Sequence, residues 1–195
     1  MDDEEGRNLQ AHFNALMEAL TQHEPSGGAN TAASVRLILI ALALEIGAKE
    51  IVELGYDAGV TVRALALTGA HVVGIDNVSE YRDTKGAAED HVASFHNAEL
   101  REIDADTYLK SSKPIDLIFV DDNHEPEHVR QEAESIRRVL RPGGIAVFHD
   151  TLGRGLGEVV RKVLPDWMFL ELPGTSSYKP SAGESFGIGI FRKPG

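Results

Sequence analysis

Two histidines in this sequence stand among carboxylates, in Asp121-Asp122-Asn123-His124 and in His149-Asp150-Thr151. An imidazole titrates near ~6.5, so a histidine held beside an acid can take a proton from a hydroxyl or an amine around neutral pH. A different chemistry is written in Glu53-Leu54-Gly55-Tyr56-Asp57-Ala58-Gly59-Val60-Thr61. Its glycines let the backbone approach a ligand, and a turn that opens a helix presents free N–H donors. Asp76 follows that turn by about 20 residues, where a nucleotide-binding βαβ unit places the carboxylate that receives a ribose diol.

These groups need elements to hold them. Apolar runs predict strands near 50–54, 71–76, 99–103, 115–120 and 144–149, and helical spacing predicts helices near 59–69, 84–97, 105–111, 126–140 and 154–164. Short strands alternating with helices of this length argue for a parallel sheet covered on both faces. The rhythm breaks at the end, where 167–172 and 186–191 read as two strands joined by a polar loop and hence antiparallel. At the other end, Asn8 to Gln22 has helical spacing, and Asn30 is placed to cap a helix running to about Ile46. The predicted strands end at Glu53, at Asp76-Asn77, at Asp104, at Asp121 and at His149-Asp150. Ligands of open α/β sheets bind at that edge, so five polar strand ends converge where chemistry is expected.

Composition narrows the partners. A length of 195 residues suits one domain, read as an acidic tail (1–7), a helical cover (8–47) and a core (48–195). The formal charge of -12 would repel phosphate backbones, which argues against nucleic acid. The most apolar stretch, Ser34 to Ile46, contains Arg36 and Glu45, which argues against a membrane span. With no basic, apolar leader and no cysteine, a cytoplasmic chain is the expectation. The partner is then a small molecule, and a homodimer stays open. A P-loop is absent, and Asp57 and Val60 interrupt the Gly-x-Gly-x-x-Gly spacing of dinucleotide sites, which sets against a nicotinamide-dependent oxidoreductase.

The acid-x-Gly turn with Asp76 resembles the class I S-adenosylmethionine-dependent methyltransferases. Asp57 replaces the middle glycine found in many of them, a version shared by catechol O-methyltransferase-like enzymes. The second half is similar to a subgroup of small members, in which strand four ends in Asp-x-x-His and Leu-x-Pro-Gly-Gly leads to His-Asp-Thr. Here these are Asp121 to His124 and Leu140 to Thr151. The resemblance covers about residues 30 to 192. It implies a Rossmann-like three-layer sandwich with a seven-stranded, mostly parallel sheet, an antiparallel C-terminal hairpin and extra N-terminal helices.

It further implies S-adenosylmethionine as cofactor, with Glu53, Gly55, Tyr56, Asp57, Gly59, Thr61, Asp76, Asn77, Asp104, Ala105 and Asp121 as its contacts, and methyl transfer to a small-molecule hydroxyl. Asp104 reads equally as an N-cap for the helix beginning at Ala105. Asp57 reads as a partner for the ligand's ammonium or as a helix cap. The metal-holding positions of catechol-type enzymes fall on Asp121, His149 and Asp150. His149 stands where those enzymes have a carboxylate, so a softer ion such as manganese competes with magnesium. With a metal, His149 is a ligand and His124 the base; without one the roles reverse, and Asp121 is the third catalytic candidate. A non-catalytic nucleoside-binding module of the same fold is the second reading.

Overall fold

The computed structural model describes residues 31–77, 85–173 and 187–195. Six helices and seven strands occur in them: α1 (Ala33–Glu45), β1 (Glu50–Leu54), α2 (Val60–Ala66), β2 (His71–Asp76), α3 (Lys85–Val92), β3 (Ala98–Glu102), α4 (Ala105–Ser111), β4 (Ile115–Val120), α5 (Pro126–Val139), β5 (Leu140–His149), α6 (Leu156–Val163), β6 (Met168–Leu172) and β7 (Ile188–Arg192). The sheet order is β3-β2-β1-β4-β5-β7-β6. The first five strands pair in parallel, and β7 inserts antiparallel between β5 and β6. This is the expected seven-stranded architecture with its antiparallel C-terminal pair.

Alternate strand residues sort to the two faces, as the period of a strand requires. Val52, Leu54, Ile118, Val120, Ala146 and Phe148 pack with α4, α5 and α6. Ile51, Leu117, Phe119, Ile145 and Val147 pack with α1, α2 and α3. Strands clothed on both sides read as continuous apolar runs, which is why β4 and β5 are so plain in the sequence. Among the described residues no helix is long and apolar enough to cross a membrane.

Three details differ from expectation. The N-cap of α1 is Ala32, without a side-chain bond, and Asn30, like the helix expected over 8–22, lies outside the described residues. Strand β5 begins at Leu140, so the Pro142-Gly143-Gly144 run is an irregular start to the strand, with a register shift against β4. Gly143 and Gly144 are tied there to the chain end by bonds to and from Lys193. Helix α3 stops at Val92, short of residue 97.

Candidate active site

The β1–α2 turn is built on a close backbone approach. Gly55 has φ +84, and a Cβ there would lie 2.3 Å from the carbonyl oxygen of Asp121. The ends of β1 and β4 therefore touch through main chain alone. Asp57 holds φ +40, a conformation that costs most residues energy and that Asp tolerates. Its N–H donates to Asp76 Oδ2 at 3.0 Å, and the Asn77 N–H bonds the same carboxylate. Burial raises the Asp76 carboxyl above its ordinary value despite those bonds. The end of β2 thus fixes the turn that follows β1. Gly59, at φ +72, is the N-cap of α2, so the capping role weighed for Asp57 belongs to Gly59.

The other cofactor candidates divide. Glu53 is 1% exposed and bonded by the Thr61 hydroxyl, with its carboxyl raised well above normal by burial and then by the Asp121 charge. Tyr56 is buried within the core facing α2, and burial, then the Asp76 charge, pushes its hydroxyl to about 12; its backbone stays at the turn. Asp104 accepts from Thr107 N at 2.9 Å as the N-cap of α4, the capping alternative of its two readings. Ala105 is buried in the core beside it.

Strands β4 and β5 bring the second set together. His149 Nδ1 lies 3.0 Å from Asp121 Oδ1 and 3.0 Å from Asp150 Oδ1. His124 Nε2 lies 3.6 Å from Asp121 Oδ1 and 3.5 Å from Asp150 Oδ2. These four side chains are only 13–22% exposed. Yet neither nitrogen of His149, nor Nε2 of His124, is aligned with a hydrogen-bond partner. The donor atoms converge on a common space rather than on each other. Ligands held at ~2.0–2.2 Å around one divalent ion stand roughly 3–3.6 Å apart, so this set fits a cation. Atoms of Asp121, His124 and His149 form one group of metal-ligand type, which brings His124, read as a base, into ligand range.

Residues that sequence reasoning missed hold this cluster. The Thr31 hydroxyl donates to Asp121 Oδ2 at 2.9 Å from ninety positions upstream, and buried Arg36 on α1 donates to the Thr31 carbonyl. Phe119 sets its ring edge-on to His149 at 6.1 Å, and Arg154 Nε lies 3.8 Å from Asp150. No local pattern marks Thr31. Asp150 has φ +54. With Asp57 it makes the pair of non-glycine residues at positive φ among the described residues, and both lie in turns that follow strands at the site, where strain of this kind gathers.

Burial alone would raise Asp121, but the nearby His124 and His149 rings and the bond from the Thr31 hydroxyl outweigh it and hold the carboxyl below its usual range. Burial alone would lower His149; the two carboxylates outweigh it and raise the ring to about 10. Without a metal the two carboxylates thus favour the protonated ring, which weighs against the role of metal-free base expected for His149. His128 on α5 is raised to about 10 by Asp122 and Glu132. A folded-state pKa raised from ~6.5 contributes stability that is complete below that value and is lost as pH climbs toward the folded value. Chelator-treated protein should accordingly melt several degrees lower at pH 9.5 than at pH 6.5. Equal melting temperatures would show that these rings fold uncharged.

Residues 52–151 match a family model described as a methyltransferase domain. The chain is 33% identical over 140 residues to the ubiquinone biosynthesis O-methyltransferase of Methylococcus capsulatus, an alignment covering 68% of this chain and 57% of that protein. The chain therefore matches little more than half the length of that curated relative. Among solved structures, it resembles the N-methyltransferase NodS of Bradyrhizobium japonicum in complex with S-adenosylhomocysteine (TM-score 0.68, 19% identity, 94% of this chain and 99% of that one). It also resembles the O-methyltransferase TomG of Streptomyces achromogenes in complex with S-adenosylmethionine (TM-score 0.65, 19% identity, all of both chains).

Proposed function

The chain belongs to the methyltransferase-domain family and carries the class I S-adenosylmethionine-dependent methyltransferase fold; from that premise we propose that it methylates a hydroxyl of a small-molecule acceptor, assisted by a divalent cation. The observation that carries this reading is the convergence of Asp121, His149 and Asp150, with both His149 nitrogens unaligned, on the sheet edge that also bears the acidic glycine turn. A module that only bound a nucleoside would have no use for that convergence. The O-methyltransferase relatives support a hydroxyl as the acceptor.

When bound, S-adenosylmethionine supplies a methyl group on a sulfonium sulfur; its carbon–sulfur bond breaks as a carbon–oxygen bond forms. Asp76 would receive the ribose diol, and Gly55 keeps the ends of β1 and β4 close together beside it. Asp121, His149 and Asp150 would hold the cation, which lowers the pKa of a bound hydroxyl. His124, on the loop after β4, faces the same carboxylates and takes the acceptor's proton. Alignment of nucleophile and methyl is then the remaining requirement.

Calorimetry with S-adenosylhomocysteine tests the first half. We expect saturable binding, weakened about 10-fold or more in Asp76→Ala, which removes a charged acceptor and unties the Asp57 turn. No heat at millimolar ligand would end the proposal.

A further inference from the structure

A second group of ligand-type side chains lies beside the first among the described residues: Asp122, His128 and Glu132. His128 and Glu132 stand one turn apart on α5, on the same face, and Asp122 follows the end of β4. His128 Nε2 is 3.4 Å from Asp122 Oδ2 and 3.4 Å from Glu132 Oε1. Glu132 is 1% exposed, between Val129, Ala133 and Ile136, which are all buried in the core. Neither of its carboxyl oxygens is aligned with a hydrogen-bond partner, and the same holds for buried Asp122 Oδ1. A carboxyl at a core position of a helix is tolerated when a cation or a donor meets it. Arg130 is engaged with Glu127 and Glu134 instead, so in the absence of a metal ion the protonated His128 ring is the cation that meets these carboxylates.

We propose that Asp122, His128 and Glu132 form a second divalent-metal site, of the zinc class, distinct from the cluster at Asp121 and His149. Four ligands at ~2.0–2.1 Å in a tetrahedron stand roughly 3.3 Å apart, close to the two 3.4 Å separations that His128 makes. One imidazole with two carboxylates suits zinc or manganese better than magnesium, which prefers oxygen alone. The partly exposed edge of His128 leaves room for water as a further ligand. Such an ion would tie the start of α5 to the end of β4 and so brace the segment that carries Asp121 and His124. This inference does not rest on methyl transfer, since no donor or acceptor enters it.

The test titrates zinc into the full chain after chelation and dialysis, reading bound metal by calorimetry and elemental analysis. Dismantling the first cluster with His124→Ala and His149→Ala together should leave one equivalent. Adding His128→Ala to that background should remove it or weaken it at least 10-fold, and Glu132→Gln should do the same, with circular dichroism showing each variant folded. A first-cluster variant that binds no zinc would overturn the site. So would an equivalent that survives both His128→Ala and Glu132→Gln, as zinc held adventitiously at His71 between Glu50 and Glu99 would. Two carboxyls sharing a proton in place of a metal would give the first of these results. Binding of S-adenosylhomocysteine is measured separately, so failure here and failure of the proposed function are told apart.

Discussion

Alanine at His149 is expected to lower turnover by about 100-fold or more while leaving the affinity for S-adenosylhomocysteine within a few-fold of wild type. The ring stands 3.0 Å from two carboxylates and is braced by the edge of Phe119. Its loss leaves Asp121 and Asp150 facing each other with no cation between them. Loss of one ligand also weakens a bound ion, and removal even of groups that merely orient ligands costs about 10–100-fold in affinity. Cofactor binding should be spared, because the turn after β1 and the Asp76 carboxylate belong to other strands. Steady-state rates with and without excess manganese divide the possibilities: partial recovery with metal identifies His149 as a ligand. An unchanged rate without added metal would remove it from the mechanism.

The second large effect is structural. Gly55→Ala should cost about 3–5 kcal/mol of stability and lower the melting temperature by roughly 10 °C. Left-handed backbone costs an ordinary residue about 1–2 kcal/mol. The larger part comes from placing a Cβ 2.3 Å from the Asp121 carbonyl, which must then move. Because Asp121 is a member of the proposed metal cluster, activity should fall with stability. Gly69→Ala is the control, since φ there is +79 with nothing within 4 Å, so it isolates the backbone strain. If the two variants melt alike, the contact between the ends of β1 and β4 is not what requires glycine at position 55.

The parallel core was legible because its strands are buried on both faces, which leaves uninterrupted apolar runs such as Leu117 to Val120 beside polar ends. Asp76, Asp121, His149 and Asp150 could be named as candidates for the same reason: each lies where such a run closes. Other parts of the site were not legible. Thr31 reaches Asp121 across ninety residues, and no local pattern encodes that approach. Asp104 carried a signal with two meanings, since an acid before a helix is both a ligand and a cap, and the geometry has it capping. His128 and Glu132 are spaced as an ordinary helical pair. Only their packing against Asp122 shows that a carboxyl has been placed in the core.

The left-handed backbone at Asp150 also limits how this site can evolve. Glycine, asparagine and aspartate occupy that region readily, and of the three only aspartate brings a negative charge. Lengthening the acid to glutamate would give up the residue type that this backbone accommodates, so charge and main-chain shape are inherited together at position 150. Position 149 lies in regular strand just before it and carries no such restriction. An imidazole or a carboxylate can stand there on the same scaffold, so the donor set of the proposed cation site can vary more freely at that residue.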